Sequence, residues 1–443
     1  MVASVPLGAG QVDLMNARLL TMPDDGALIA PALPAAMTAH GRSLRVMAIL
    51  SVLMGFGSIS TDIYLPALPT MGQALGSSSG MMELTISGYL VGFSLGQLLW
   101  GPIGDRYGRR LPVAAGIVLF VIGSAGCALS DTAWQMIGWR IVQAVGACAG
   151  VVLARAMVRD MYERDAAAKT LSTLIVVMAI APLIGPFIGG QILAVASWHI
   201  IFWLLVGVGL LTLAALFTLP ETLAPAQRSR EPLIRAVAEY GHLLRQRAIL
   251  GYAGVGAFFY LGVYAYIAGT PFAYISYYHV PAQLYGLLFG SVIAGIMAMN
   301  MVNTRLVTKL GSDRLLRLGT VGAAIFGVAV AVAGGTGWGG LGGLATTLFL
   351  FSAMSGLIVA NSIAGALGRF PERAGTASAL VGAIHYGAGI IGSALVGAFA
   401  DGTPWPVGWV VCVAGIGSLA CARLFLPAPR PIRQAPMTSE VLP

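Results

Sequence analysis

Long apolar runs alternate with short polar segments along almost the whole chain. Each run is close to the length of about 20 residues that a helix needs to cross a bilayer. Six runs precede a polar stretch at 220–247, and six follow it. The runs lie near 44–66, 82–104, 111–130, 134–157, 169–195 and 199–219, and then near 248–270, 284–305, 314–334, 340–364, 374–400 and 405–426. The pattern predicts an all-α membrane protein with twelve transmembrane helices.

The polar stretch divides the predicted spans into an N-terminal half, 44–219, and a C-terminal half, 248–426. Two six-helix halves joined by a central segment are typical of transporters with internal repeats. A faint repeat agrees with this division, because Gly311 follows predicted span 8 as Gly108 follows predicted span 2. The sequence therefore predicts two pseudo-symmetric halves.

Among the loops between the predicted spans, lysine and arginine occur on one side of the bundle only. The opposite loops contain only Asp131, Asp401 and residues without formal charge. Basic loops face the cytoplasm, so both termini are predicted to be cytoplasmic. A chance bias is the alternative, and the complete absence of cations from one side disfavours it. The basic residues of these loops are Arg106, Arg109, Arg110, Arg159, Arg164, Lys169, Arg228, Arg230, Arg235, Arg245, Arg247, Lys309, Arg314, Arg369 and Arg373.

The composition excludes a soluble globular protein. Apolar residues make up 57% of the 443 residues and charged residues 9%, whereas soluble domains contain about 25% charged residues. The net charge of +8 does not predict nucleic-acid binding, because the cations are scattered in short loops. The four cysteines lie in apolar runs without metal-ligand spacing, so no disulfide, metal or cofactor is predicted. A membrane-embedded enzyme would need deep clusters of acids, histidines or cysteines, and it is therefore only a remote alternative.

The segments outside the two halves carry little functional information. Residues 1–43 do not resemble a signal peptide and are predicted to form a disordered cytoplasmic tail. The alternative for this segment is a translation start at Met37. Residues 427–443 are predicted to be a second cytoplasmic tail. The central segment 220–247 is basic and amphipathic, and it is expected to form a linker helix along the inner membrane surface.

Two charged residues lie deep within predicted spans, Asp62 in span 1 and Arg140 in span 4. A charge in lipid costs several kcal/mol unless it is paired, so both are candidate functional residues. Their depths match, because span 1 runs outwards to Asp62 and span 4 runs inwards past Arg140. Arginine keeps its proton, so Asp62 is the candidate proton carrier and Arg140 its partner. The alternatives are an interfacial acid, about one turn from the helix end, and a buried structural cation.

Predicted span 5 contains an unusual combination of prolines and glycines. The prolines remove backbone hydrogen bonds, while the glycines leave a smooth face for close helix packing. A kinked packing helix explains the segment without any role in transport, and a role in transport is the other interpretation. The residues are Pro182, Gly185, Pro186, Gly189 and Gly190.

Aromatic and polar residues within the spans are candidates for contact with a substrate. A site for bulky apolar compounds needs aromatic walls with a few polar groups. The candidates are Tyr64, Tyr89, Gln97, Tyr260 and His385. Core packing is the alternative for the aromatic residues, and a packed histidine with satisfied hydrogen bonds is the alternative for His385. Glu83 is expected to cap the N-terminus of span 2 rather than to bind anything.

The segment Gly101–Arg110 carries one acid and three arginines between two apolar runs. Such a charged turn cannot lie in hydrocarbon and must form a tight loop at a membrane face. Its pattern, Gly-x-x-x-Asp-Arg-x-Gly-Arg-Arg, resembles the loop between spans 2 and 3 of the major facilitator superfamily of transporters. Three further segments, Thr61–Pro69, Arg140–Asp160 and Ala181–Gly190, resemble its twelve-span drug:proton antiporter branch, in particular the Bcr/CflA group for bicyclomycin and chloramphenicol resistance.

The resemblance covers the N-terminal half in its motifs and the C-terminal half only in span count and loop charge. Two positions depart from the family pattern, because Ala144 and Ala181 stand where the family motifs have glycine. Neither departure affects Arg140 or the packing face of span 5. The resemblance implies that the chain lies in the inner membrane as a monomer and binds small molecules but not nucleic acid.

The resemblance also implies a function and roles for individual residues. It implies a proton-coupled antiporter that exports small amphipathic drugs by alternating access, with protons as the coupling ion. Asp62 would take up the proton, and Arg140 would couple to its movement. Asp105 would bridge the two halves together with Arg109 in the outward-open state. The residues of this conformational latch are Gly101, Asp105, Arg106, Gly108, Arg109 and Arg110.

The open alternative is a proton-coupled exporter of one specific metabolite, such as an amino acid or a sugar. A dedicated polar binding site is expected for such a substrate, because a buried polar group needs a hydrogen-bonding partner. The predicted spans contain few deep polar residues, which favours drugs over a polar metabolite.

Overall fold

The computed structural model describes residues 44–229, 233–369 and 373–426, and within these ranges it contains helices and no strands. Three sequence predictions fall outside the described residues, namely the two tails and the alternative start at Met37. Ten helical segments of the described chain are long and apolar enough to cross a membrane. The chain is therefore a multi-pass, all-helical protein.

The helices follow one another in two groups around a short linker helix. The first group is α1 (Leu44–Asp62), α2 (Leu68–Ala74), α3 (Ser79–Tyr107), α4 (Arg110–Ala128), α5 (Ala133–Met161), α6 (Arg164–Val195) and α7 (His199–Leu216). The linker helix is α8 (Leu233–Leu244). The second group is α9 (Arg247–Pro271), α10 (Ala282–Leu310), α11 (Ser312–Thr336), α12 (Gly340–Ala353), α13 (Ser355–Leu367), α14 (Ala374–Ala398) and α15 (Trp405–Phe425).

Helix α5 packs against α3 and α4 in the first half, and α9 packs against α14 and α15 in the second half. Helices α3 and α6, which correspond to predicted spans 2 and 5, are not among the ten candidate spans. The apolar part of α6 is the shorter segment Ile180–Val195. Length and hydropathy alone therefore support ten of the twelve predicted crossings.

Span 1, predicted near 44–66, extends beyond its predicted end, and its helix is interrupted there. Helix α1 ends at Asp62, a 3₁₀ turn follows at Leu65–Ala67, and α2 then continues to Ala74. Pro66 lies in this turn and has no amide hydrogen for the helical ladder, which explains the interruption. Asp62 therefore lies well inside the 31-residue path Leu44–Ala74. The alternative of an interfacial acid about one turn from the end of the span is therefore not supported.

The two halves meet along two pairs of helices, α3 with α14 and α6 with α10. Close contacts lie at one end of each pair. Gly80 of α3 faces the backbone of Gly397 in α14, and Gly190 of α6 faces the backbone of Ala282 in α10. A Cβ atom on Gly80 or Gly190 would collide with the facing backbone, so glycine allows these helices to approach. The loops at this end contain no Lys or Arg, and we call it the arginine-free end.

The opposite, arginine-rich end contains a cavity of about 540 Å³ between the halves. The linker helix α8 forms part of its wall. Tyr240 of α8 donates a hydrogen bond to the carbonyl oxygen of Leu98 in α3 at 3.3 Å. Thr376 of α14 donates one to the Glu239 carboxylate at 3.3 Å. The linker helix therefore contacts both halves, which the sequence does not predict.

Candidate functional site

Arg140 is fully buried where α1, α3 and α5 meet. Its Nη1 donates hydrogen bonds to the carbonyl oxygen of Ser60 at 2.8 Å and to Oε1 of Gln143 at 2.5 Å. The guanidinium lies 4.2 Å from the ring centroid of Tyr64 and 4.3 Å from that of Tyr89. Two aromatic faces stabilise a desolvated cation. Nε and Nη2 have no hydrogen-bond partner in the described part of the chain, so Arg140 retains free donors.

Tyr64 and Tyr89 are buried around Arg140 and do not line the cavity. The Tyr64 hydroxyl is 3.0 Å from Oγ1 of Thr85, and the Tyr89 hydroxyl is 2.7 Å from Oγ of Ser60. Their rings are therefore held in place by α1 and α3. This placement agrees with the core-packing alternative for both tyrosines, and it gives them a function in holding Arg140.

Asp62 is the last residue of α1 and is only 5% exposed. No cation of the described residues lies within 4 Å of its carboxyl group. The predicted direct contact with Arg140 is therefore not formed in this conformation. Arg140 instead binds the carbonyl of Ser60, two residues before Asp62. The structure places the acid and the cation in one buried region, without an ion pair between them.

The glycines of span 5 pack against the segment that carries Asp62. A Cβ atom on Gly185 would lie 3.5 Å from Cβ of Asp62, and one on Gly189 would collide with the carbonyl of Ile63. Gly190 faces the other half, as described above. Helix α6 continues through Pro182 and Pro186. The motif therefore packs against the segment around Asp62 on one side and against the other half on the other side. Its geometry shows close helix packing.

Arg109 is at the centre of the charged loop between α3 and α4. Its Nη1 is 2.6 Å from Oδ1 of Asp105, and its Nε is 2.8 Å from Oδ2 of Asp160. Burial by itself lowers the pKa of the Arg109 guanidinium, but the hydrogen bonds to Asp160 and Asp105 outweigh burial and raise this pKa above its usual value. The loop is thereby fixed to the end of α5.

Glu221, just after α7, is a loop partner that the sequence does not single out. Burial raises the pKa of its carboxyl, but hydrogen bonds from backbone amides outweigh burial and lower this pKa. The amide donors are Arg109, Arg110, Thr222 and Leu223. Gly108 has φ 91°, and a Cβ there would lie 2.7 Å from Oε2 of Glu221. Glycine is required at Gly108 for both reasons, and Gly311, with φ 80°, repeats the conformation in the second half.

The contacts of the predicted latch all lie in the first half and at the start of the linker. Gly101 and Asp105 line the cavity, and the Asp105 side chain is 56% exposed. Arg106 is exposed, and Arg110 donates a hydrogen bond to the carbonyl oxygen of Phe217 at 2.9 Å. No ion pair joins the two halves among the described residues. The implied bridge is therefore not formed in this conformation, in which a cavity lies between the halves at the arginine-rich end.

The cavity contains a charge that the sequence analysis does not single out. Arg155 of α5 is exposed, lines the cavity and has no ion pair or hydrogen bond among the described residues. It lies roughly 9 Å from the end of α5, since six residues separate it from Met161. Gln97, a predicted substrate residue, lines the same cavity. The other charged residues of its wall are Asp105, Arg109, Arg159, Glu239 and Arg373.

Aromatic rings cross from one half to the other at the contact of α3, α9 and α14. The ring of Phe93 is 4.7 Å from that of Tyr386, which lies 5.7 Å from Tyr260 and 6.1 Å from Tyr264. His385 stacks on Tyr260 at 4.9 Å. His385 is 2% exposed, and its Nε2 has no hydrogen-bond partner among the described residues. The side chain is therefore packed, but its hydrogen-bonding capacity is not fully used. The sequence prediction included two of these five rings.

Helix α3 is capped by a residue other than the one predicted. Oγ of Ser78 accepts a hydrogen bond from the amide of Met81 at 3.3 Å. Glu83 lies further into the helix and is only 3% exposed. The expectation that Glu83 caps this helix is therefore wrong. A short polar residue before the first turn satisfies the free amides better than a glutamate inside the helix.

Comparison with known proteins gives concordant matches. The family described as the Major Facilitator Superfamily matches residues 47–393. A bicyclomycin resistance protein homolog of Haemophilus influenzae is 31% identical over 82% of this chain and 90% of its own length. A chloramphenicol resistance protein of Pseudomonas aeruginosa is 33% identical over 81% of this chain and 85% of its own length. The xylose transporter XylE from E. coli, in a partially occluded inward-open conformation, has a similar fold, with a TM-score of 0.67 and 16% identity over 87% of this chain and 97% of that chain.

Proposed function

This chain belongs to the Major Facilitator Superfamily and is a transporter, not an enzyme, and we propose that it exports small amphipathic drugs in exchange for protons. The names of two relatives refer to bicyclomycin and chloramphenicol resistance. We therefore propose compounds of these two types as substrates. The proposed location is the inner membrane of a bacterial cell, with twelve spans and the arginine-rich end in the cytoplasm. We further propose that the protein acts as a monomer and needs no cofactor.

The proposed proton coupling is based on the arrangement of Asp62 and Arg140. Asp62 is buried without a cation within 4 Å among the described residues, so its ionised form is poorly stabilised in this conformation. Arg140 retains two donors without partners in the same region. A carboxyl that is neutral here and ionised when water reaches it binds and releases one proton in each cycle. Arg140 keeps its charge throughout.

The difference between the two ends of the bundle supports the proposed alternating access. In this conformation glycine contacts close the arginine-free end, while a cavity of about 540 Å³ separates the halves at the other end. A drug from the cytoplasm would enter this cavity and meet the rings around Tyr386. Rocking of one half against the other would then open the arginine-free end. The latch around Asp105 would engage the second half only in that state.

A transport assay tests the proposal directly. A host strain without its own drug pumps, expressing this chain, is expected to resist chloramphenicol-type and bicyclomycin-type compounds. Drug accumulation in these cells should rise to the level of the empty host after a protonophore is added. Competition by many compounds, each weak, supports drug export. A single strong competitor would instead indicate the exporter of a specific metabolite, and export that survives the protonophore would contradict proton coupling.

Reversing the charge of Arg155 is expected to change which drugs are exported. The charged residues of the cavity wall are four arginines and two acids, so the cavity favours neutral, acceptor-rich or anionic compounds over cations. In the Arg155→Glu variant, export of a lipophilic cation relative to chloramphenicol should rise about tenfold, because a close charge pair changes binding by about 1–4 kcal/mol. Initial efflux rates of both compounds measure this ratio.

Arg423→Glu is the matched control for the cavity experiment. Arg423 is exposed near the end of α15 and does not line the cavity, but the variant makes the same change in net charge. It should leave the ratio of the two efflux rates unchanged. Equal ratios in Arg155→Glu and wild type would contradict the assignment of Arg155 to the substrate path.

A further inference from the structure

Glu83 lies in the contact that closes the arginine-free end. One face of α3 touches α14 of the other half at successive turns. Gly80 meets the backbone of Gly397, and Oγ of Ser87 is 2.8 Å from Oγ of Ser393. Glu83 lies between these two contacts, and a Cβ atom on Gly397 would be 3.6 Å from its Oε2. The carboxyl group is therefore enclosed between two surfaces that must separate when this end opens.

Among the residues that the structure describes, none forms an ion pair or a hydrogen bond with the Glu83 carboxyl. Its Oε2 is buried without a hydrogen bond from any described residue, and no Lys or Arg lies in the loops of this end. Glu83 also lines a cavity of about 290 Å³ between the halves. The other residues of that cavity wall have neutral side chains, including Gln73 of α2 and Ser276 of the second half. An ionised carboxylate in this position is strongly disfavoured.

The titratable groups on the neighbouring elements do not change this conclusion. Helix α2 and the adjoining end of α14 carry none. Asp401, in the loop after α14, is exposed and accepts hydrogen bonds from Thr403. The π-helical segment Phe272–Tyr277 contributes Tyr274, which is buried, and Tyr277, which is exposed and contacts Tyr278. None of these groups supplies a positive charge.

We propose that Glu83 is a second proton-binding site and that its protonation holds the arginine-free end closed. The closed contact accommodates only the neutral carboxylic acid, whereas the open state exposes the group to water. The closed state therefore binds one proton more than the open state, so a falling pH favours closure and a rising pH favours opening. In the proposed export cycle a proton taken up from outside would close the outer end after the drug has left. The inference rests on the proposed alternating access.

A conformational measurement on the purified full chain in lipid nanodiscs tests this site without any transport step. Spin labels are attached to cysteines at Ala74 of α2 and Ala398 of α14, which are exposed at the arginine-free end in opposite halves, after the four native cysteines are replaced. The distance between the labels is measured between about pH 5 and about pH 9, a range above ordinary carboxyl titration, so exposed acids stay ionised throughout. The wild-type distance should lengthen as the pH rises.

Three variants show whether Glu83 is responsible. Glu83→Gln keeps the shape of the side chain but cannot ionise, so its label distance should stay short at every pH. Glu83→Asp keeps a titratable group and should retain the lengthening. Asp401→Asn removes an exposed acid at the same end and should behave as the wild type does. The Glu83→Gln protein should elute as the wild type does on size exclusion, which confirms folding.

Two outcomes would overturn the proposal. One is a pH-dependent lengthening that survives in Glu83→Gln, and the other is a label distance in the wild type that does not change with pH. A response lost in Asp62→Asn but kept in Glu83→Gln would assign the switch to Asp62 instead. Because no drug is present, failure of proposed drug export would leave this result unaffected, so the two failures are distinguishable.

Discussion

Replacing Asp62 by asparagine is expected to abolish proton-driven accumulation of the drug while leaving a folded protein. Asparagine has the size of the aspartic acid but cannot take up or release a proton. One charge crossing 100 mV supplies about 2.3 kcal/mol, which sustains a concentration ratio of a few tens-fold. Proteoliposomes with an imposed proton gradient should therefore show this ratio with the wild type and a ratio near one with Asp62→Asn. Downhill drug movement without a gradient should persist in the variant.

Asp131→Asn is the appropriate control for this experiment. Asp131 is exposed in a loop of the arginine-free end, so its substitution removes the same charge without touching the buried site. Its accumulation ratio should equal that of the wild type. A normal ratio in Asp62→Asn would show that Asp62 is not required for coupling and would refute the proposed role.

Replacing Arg140 by lysine should cause the second large loss of transport, although the positive charge is kept. The Arg140 guanidinium reaches the Ser60 carbonyl and Gln143 while its plane faces two tyrosine rings. An ammonium group has no planar fork with which to make the same set of contacts. Loss of one hydrogen bond to a charged group costs about 1.5–3 kcal/mol. The rate of coupled transport should fall at least tenfold, and the thermal unfolding temperature should fall with it.

Arg45→Lys provides a control of the same chemistry outside the site. Arg45 also donates to a backbone carbonyl and a side-chain oxygen, both of Thr218, but it is exposed. Its substitution should leave coupled transport within about twofold of the wild-type rate, since exposed polar contacts contribute little. Unchanged coupling in Arg140→Lys would reduce the role of Arg140 to a positive charge at that position.

The sequence predicts features well when they depend only on the type of a residue and on its position along a membrane span. Asp62 and Arg140 stand out because charges are rare inside apolar runs, and both are buried in the structure. The loop around Arg109 is equally visible, because its charges exclude it from hydrocarbon. These predictions need only the distance of a residue from the end of a span.

Features that depend on how a helix is rotated could not be predicted. The sequence makes Tyr64 and Tyr89 candidates for a substrate wall, but in the structure their rings pack against the Arg140 guanidinium. Arg155 looks like part of a motif until the structure shows that it faces the cavity between the halves. Tyr386 belongs to the ring cluster only because α14 packs against α3 and α9. A single sequence records the spacing of such residues but not their partners.

The cap of α3 illustrates a different kind of error. Both Ser78 and Glu83 lie near the start of the helix, and the sequence favours the acid as the cap because negative charge is stabilised at a helix N-terminus. The hydroxyl of Ser78 fills that position instead. The glutamate is then left one turn deeper, at the surface where the two halves meet.

Asp62 and Arg140 both belong to the first half, on α1 and α5. If the halves move as rigid bodies, the separation between acid and cation stays constant through the whole cycle. A moving countercharge then cannot be what changes the proton affinity of Asp62. Water has to do so, by reaching the carboxyl group in one conformation and leaving it in the other. The coupling of this transporter would thus depend on hydration of the Asp62 carboxyl, while the positive charge of Arg140 stays at a constant distance from it.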